Sequence, residues 1–301
     1  MSKAKRAVGM MPACMTIWND DQSYSRPKME KYLRWLIDQG AQNLSICGST
    51  GENIAMNMTE QMEVMEHVLS FVAGEVPVVC GTGLYPTKHT ITLSKFAEDH
   101  GADGVMVILP YYLTPHKKAV MGHFRELRKN IDIPIMIYNN PWFTGYEMTP
   151  REIKTLVDEG VVSSVKAAHG DANRVHELKF HCGDRLDVFY GHDYAPMEGF
   201  FAGADGWLSG FPAVLPKPCR ELMDICLIEK DVDKARAQQD RMQPYIDYFF
   251  YDKVDGVPHW QEVCKYTLTA QGLDVGLPRR PLGDLDAANK KKIEKLLADL
   301  L

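Results

Sequence analysis

The sequence predicts an α/β fold, a (β/α)₈ barrel of the TIM type followed by a C-terminal helical extension. Three observations carry this reading. Short apolar segments, each followed by an amphipathic helical stretch, recur eight times before residue 216. These segments are apolar on both faces, as parallel strands buried between a barrel interior and a ring of helices must be. Beyond residue 216 the strand signals stop and helical patterns alone follow. The competing doubly wound sheet wants a Gly-x-Gly-x-x-Gly turn after its first strand. Here Gly81-Thr82-Gly83 follows the third strand and runs into Leu84-Tyr85-Pro86.

Each element has a local justification. An apolar run beginning near residue 8 reads as the first strand. Lys3, Lys5 and Arg6 precede it and imitate a signal peptide, but Pro12 interrupts the run and Trp18-Asn19-Asp20-Asp21 follow it. Ser25-Arg26-Pro27 caps a helix whose Met29, Leu33, Leu36 and Ile37 recur at helical spacing until Gly40. Strands are expected at 43–47, 76–80, 104–109, 134–138, 161–166, 187–191 and 206–209. The helices between them begin near Thr59, Pro86, Thr114-Pro115, Thr149-Pro150, Asn173 and Asp193. Thr149-Pro150-Arg151-Glu152 is a capping box with proline at the first helical position. After a barrel core at 1–215, a helical region at 216–301 contains helices at 219–229, 231–250, 259–270 and 286–301. It reads as a tail packed on one barrel rather than a second catalytic domain.

Composition excludes several function classes. A net charge of -6 and a pI near 5.9 argue against nucleic acid or an anionic membrane as partner. The Lys290-Lys291-Lys292 run reads as the solvated face of a terminal helix. Seven cysteines, an odd number without a C-x-x-C pair, read as reduced thiols of a cytoplasmic protein. No apolar segment approaches the ~20 residues of a membrane helix. His116, His123 and His176 show no H-E-x-x-H or comparable spacing, so no metal is expected.

Active groups of such a barrel gather at the carboxyl ends of its strands. Those ends carry Ser49 and Thr50 after strand two, Tyr111 and Tyr112 after four, Tyr138 on five, Lys166 on six, and Gly191 and Asp193 after seven. Alternation along strand six puts Val162, Ser164 and Lys166 on one face. Burial disfavours an ammonium and favours the free amine, which attacks carbonyl carbon. Taken alone, Lys166 is better read as a lysine snorkelling into water, and Tyr138 as a core tyrosine. Their joint placement makes the catalytic reading the better one. His169 and His192 follow strands six and seven on the same face. As single residues they read as exposed loop histidines, with an acid or base role as the alternative. Cys47 and Cys80 read as small buried hydrophobes.

Three motifs, Gly48-Ser49-Thr50-Gly51-Glu52, Tyr138-Asn139-x-Pro141 and Lys166 followed by Gly170-Asp171, resemble the dihydrodipicolinate synthase and N-acetylneuraminate lyase superfamily over almost the whole chain. The resemblance implies a Schiff-base-forming lyase without a cofactor. Lys166 would form an imine with pyruvate or another 2-oxo acid, and Tyr138 would shuttle protons with Thr50 and with a Tyr112 that crosses a subunit interface in a homotetramer. The substrate contacts it implies are Ser49, Thr50, Gly191, Asp193, Leu208 and Phe143. Where dihydrodipicolinate synthases carry an arginine shortly after Tyr-Asn-x-Pro, this chain has Trp142-Phe143. Where sialic acid lyases carry Asp-Glu after strand seven, it has Asp193-Tyr194. Leu215-Pro216-Lys217 resembles members that dehydrate or deaminate hydroxylated 2-oxo-acid-like substrates.

The expected reaction is therefore aldol cleavage or condensation on a 2-oxo acid. An imine-dependent hydro-lyase or deaminase is the alternative, and a non-catalytic 2-oxo-acid-binding barrel is the rival of another class. Trp142, Phe143, Tyr194 and Trp207 are expected to line the distal pocket with rings, unless another cation such as Lys217 faces the substrate.

Overall fold

The computed structural model describes residues 8–251 and 259–301, so Lys3, Lys5 and Arg6 lie outside the described residues. Eight parallel strands form one sheet: β1 (Gly9–Met10), β2 (Leu44–Ile46), β3 (Val78–Gly81), β4 (Gly104–Ile108), β5 (Ile135–Asn139), β6 (Ser164–Ala167), β7 (Asp187–Tyr190) and β8 (Gly206–Trp207). From β2 to β8 each pairs with its sequence neighbours, and β1 pairs with β8. The ring closes between β1 and β2 through an Ala13–Ser45 bridge. Along β1 the N–H groups of Met11 and Ala13 bond to β8 and its extension, while those of alternate residues point at β2. Pro12 falls on the β2 side and has no N–H to give, and the Gln42 side chain substitutes at Met10. The closing seam is therefore short because of one proline.

The helices α1 (Arg26–Asp38), α2 (Met58–Val72), α3 (Thr87–Asp99), α4 (Lys117–Arg128), α5 (Pro141–Thr144), α6 (Pro150–Asp158), α7 (Ala172–Cys182) and α8 (Pro196–Phe201) intervene between strands. The capping box expected at α6 is formed, and Asn57 with Glu60 makes another at α2. Three starts differ from expectation. Ser25 stands at the cap of α1 but makes no side-chain capping bond. The cap of α4 is His116, whose Nδ1 accepts from Ala119 N, so the helix begins at Lys117 rather than at Thr114-Pro115. Residue 193 does not open α8, because the Asp193 carboxylate turns back to Ser209 and Phe211.

After β8 come α9 (Phe211–Val214), α10 (Pro216–Asp224), which runs into a π turn at Ile225–Glu229, then α11 (Val232–Phe250), α12 (Trp260–Ala270) and α13 (Ala287–Leu300). Lys291 and Lys292 are exposed on α13. Two apolar clusters result. The smaller fills the barrel with Met11, Met106, Met136, Tyr138, Phe189 and Leu208, among others. The larger joins the outer strand faces to the helices, those after residue 216 included. Parity is as the alternation requires: Met136 and Tyr138 point inward, Ile135 and Ile137 outward. No helix among the described residues is long and apolar enough to cross a membrane.

Candidate active site

The carboxyl ends of the strands surround a cavity of about 330 Å³. Lys166 is its buried base, 5 % exposed. Register explains its surroundings: it stands beside Tyr138 on β5, and its Nζ lies 4.3 Å from the centre of the Tyr138 ring. Across β7, a Cβ at Gly191 would come within 2.7 Å of Lys166 Cγ. The glycine at this position makes room for the lysine stem. Lys166 forms no ion pair among the described residues.

A second buried lysine shows what a structural role looks like. Lys265 on α12 donates to Thr16 O at 2.6 Å and Val275 O at 3.2 Å, and lies 3.5 Å from the Glu52 carboxylate. Burial pulls its amine down to about 8 against the pull of Glu52. That ammonium is taken up by Thr16, Val275 and Glu52, whereas Lys166 has no ion pair among the described residues and lines the cavity.

Ser49 and Thr50 line the cavity from the loop after β2. Sequence reasoning missed what holds this loop. Glu52 adopts positive φ (56°), is 1 % exposed, and accepts from Trp18 Nε1 at 2.9 Å and Arg279 N at 2.8 Å. Thr16 Oγ1 donates to Gly51 O, and Gln261 Nε2 to Ser49 O. These partners come from both ends of the chain, and their types carry no spacing signal that sequence could reveal.

The Tyr138 hydroxyl accepts from Asn140 Nδ2 at 3.0 Å, rather than being tied to Thr50 or a second tyrosine. Asn140 was also missed, although an asparagine before proline is a helix-start signal. Its Oδ1 caps α5 by accepting from Trp142 N and Phe143 N, which fixes both rings on the cavity wall.

Asp193 is 6 % exposed and lines the cavity. Ser209 Oγ donates to its Oδ2 at 2.8 Å, and Phe211 N to Oδ1 at 3.2 Å. Burial outweighs these bonds and the attraction of Lys166, and pushes the carboxyl up to about 6. His192 also lines the cavity, while His169 sits over Glu147 and Arg174. Both rings are largely enclosed, which corrects the exposed-loop reading. Burial, then Lys166 and His169, holds His192 down at about 4. Cys47 is buried with its thiol pushed up to about 12, and Cys80 is likewise buried.

The expected ring of aromatics is half correct. Trp142 and Phe143 line the cavity, but Tyr194 and Trp207 do not. Trp207 is fully buried on the outer face of β8, edge-on to Phe200 and bonded to His192 O. Tyr194 packs against Phe250 and Tyr251. Phe249 and Phe250 of α11 and Trp260 of α12 take their places. Lys217 faces a separate surface hollow beside Trp35 and Leu301, so it is not the distal cation. Leu208 is buried in the barrel interior and does not line the cavity. Tyr112 lies outside its own chain's cavity, 92 % exposed, with positive φ (72°).

Such a site presents an amine, a phenol, hydroxyls and a carboxylate to one small space, sufficient for imine formation and proton transfer at the adjacent carbons. Comparison with known proteins extends over nearly the whole chain. A profile of the dihydrodipicolinate synthetase family matches residues 6–300. The 4-hydroxy-tetrahydrodipicolinate synthase of Pelobacter propionicus is 32% identical over 280 residues, covering 93% of this chain and 95% of that protein. That of Clostridium novyi is 30% identical, covering 90% and 89%. Among solved structures, YagE, a prophage protein of the dihydrodipicolinic acid synthase family from E. coli K12 crystallised with pyruvate, superposes with a TM-score of 0.91. It is 26% identical and is matched over 98% of this chain and 99% of its own. The chain belongs to the dihydrodipicolinate synthetase family.

Proposed function

We propose that this protein is a Schiff-base-forming lyase that acts on pyruvate or another 2-oxo acid by aldol cleavage or condensation. The observation that carries this is Lys166, buried at the base of the cavity beside Tyr138 and without an ion-pair partner among the described residues. Its amine adds to the 2-oxo carbon and water leaves, giving a protonated imine. Cleavage of the C–C bond one carbon further out, between the third and fourth carbons of the acid, sends its electron pair through the third carbon to that nitrogen, leaving an enamine and a released aldehyde. In cleavage, Tyr138 takes the proton of the hydroxyl that becomes the aldehyde, and a proton then returns to the enamine carbon. Thr50 and the Tyr112 of a second copy complete the relay, and Ser49 and Thr50 hold the carboxylate. Gly191, Asp193 and Phe143 border the rest of the substrate. Binding of pyruvate by YagE supports the substrate class. The seven free cysteines support a reducing, cytoplasmic setting, and the relay requires a homo-oligomer, a tetramer as in the family.

A second reading has its own observation. The Asp193 carboxyl, pushed up to about 6, is partly protonated near neutrality and can protonate a departing hydroxyl or amine. The same imine would then expel water or ammonia. Product analysis on 4-hydroxy-2-oxo acids separates the two. Pyruvate and aldehyde in equal amounts, with kcat lowered roughly 10²–10⁴-fold in Tyr138→Phe, are expected for the lyase. Release of water with the carbon chain intact, or of ammonia from the matching 4-amino-2-oxo acids, would establish the alternative.

A further inference from the structure

We propose that His192 is a specificity-determining residue: its Nε2–H, beside the Asp193 carboxylate, recognises a hydroxyl on the substrate beyond the bond that is made or broken. The inference rests on the lyase reading and deepens it. His192 Nδ1 accepts the backbone N–H of Tyr194 at 3.2 Å. An imidazolium has no acceptor nitrogen, so this bond exists only in the neutral ring with its proton on Nε2. The enclosure of the ring beside Lys166 and His169 acts in the same direction.

The ring is also immobilised. It stacks on Phe250 at 5.1 Å between centres and 20° between planes. Gly170 closes the Nδ1 side, where a Cβ would stand 3.4 Å from Nδ1. Among the described residues nothing pairs with Nε2, and His192 lines the cavity. A fixed donor therefore remains for a ligand.

Its sequence neighbour supplies the complement. Asp193 Oδ2 accepts from Ser209 Oγ and Oδ1 from Phe211 N, the Gly210 N–H is a further donor, and a carboxylate with about four lone-pair sites has capacity for one more. A donor and an acceptor side by side match a group that both accepts and donates, which a hydroxyl does. A carboxylate there would meet the charge of Asp193, and an alkyl group would leave both polar groups unpaired. Trp142, Phe143 and Phe250 border the same space, so the hydroxyl is carried on an otherwise apolar or uncharged acceptor.

The test compares acceptor aldehydes with and without one hydroxyl, each condensed with pyruvate, using the native protein and His192→Phe, which keeps a ring against Phe250. The native protein should favour the hydroxylated aldehyde in kcat/KM by about tenfold, mostly through KM, and His192→Phe should lose that preference. Equal kcat/KM for both aldehydes in the native protein, or a preference that survives in His192→Phe, overturns the inference. Failure of the native protein to form any adduct at Lys166 removes the lyase reading and this inference with it, a result distinct from lost discrimination. If His192→Phe does not fold, ¹⁵N spectroscopy of the native protein decides. A bare Nδ1 and a protonated Nε2 at neutral pH are expected, and the opposite tautomer or an imidazolium would refute the assignment.

Discussion

Two lysines are buried among the described residues, and their difference separates an open amine from a structural one at the scale of single residues. Lys265 is consumed by Thr16 O, Val275 O and Glu52, whereas Lys166 faces a cavity beside a tyrosine ring. Lys166 was legible in sequence because it ends a β-branched run and is followed by a glycine break. Lys265 was not, because one lysine on an amphipathic helix looks like any solvated charge until its neighbours are known. The place of Asp193 at the cavity was legible, but its environment was not. Its folded value of about 6 lies above the ~3.9 of an unfolded chain. Between those values the folded state holds more protons than the unfolded state. The stabilisation is therefore complete below about pH 4 and lost as pH rises to about 6. The loss is on the order of 3 kcal/mol, and Asp193→Asn lacks it. His192 titrates in the opposite sense in both proteins and cancels from the difference. Denaturant melts of the two at pH 4 to 7 should converge or cross as pH rises, and parallel profiles would show that Asp193 is not strained by burial.

At the scale of elements, α5 decides which rings border the cavity from the β5 side. It is a single turn, made possible by proline at its first position and by the Asn140 cap, and it carries Trp142 and Phe143 to the cavity. Sequence spacing sufficed to place these two, because they follow Tyr138 directly. It failed for Phe249, Phe250 and Trp260, since nothing local says that the ends of α11 and α12 come over the barrel mouth. It failed for Trp207 because β8 is read as a strand whose inward face cannot be distinguished until its register with β7 is known. A wall of rings strips water from a distal carboxylate without pairing it, a cost of several kcal/mol as an order of magnitude. Aspartate semialdehyde should therefore be a poor partner for pyruvate, and aldehydes with uncharged tails better ones. Phe143→Arg should move preference towards the carboxylated aldehyde, because arginine restores a bidentate partner. Steady-state kinetics on matched charged and uncharged aldehydes check this, and preference for the charged member in the native protein would refute it.

The whole molecule is a barrel whose eight parallel strands were readable from periodicity, with ends accurate to a few residues. Between β1 and β2 the ring is joined by the Ala13–Ser45 bridge beside Pro12, and its helical tail locks the loop after β2 through Gln261, Lys265 and Arg279. Long-range locks of this kind are invisible to local pattern. Tyr112, Leu113 and Ile54 are 92 %, 64 % and 77 % exposed, a cost that a second copy would relieve. The proposed proton relay would take Tyr112 from that copy. Sedimentation should show an oligomer, and Tyr112→Phe should lower kcat with assembly retained; a fully active monomer would contradict the relay. The central claim is the nucleophile itself. Reduction with borohydride in the presence of pyruvate, followed by peptide mass spectrometry, should place one reduced pyruvyl adduct on Lys166 and abolish activity, whereas an adduct on Lys265 or another lysine, or none with any 2-oxo acid, would contradict it.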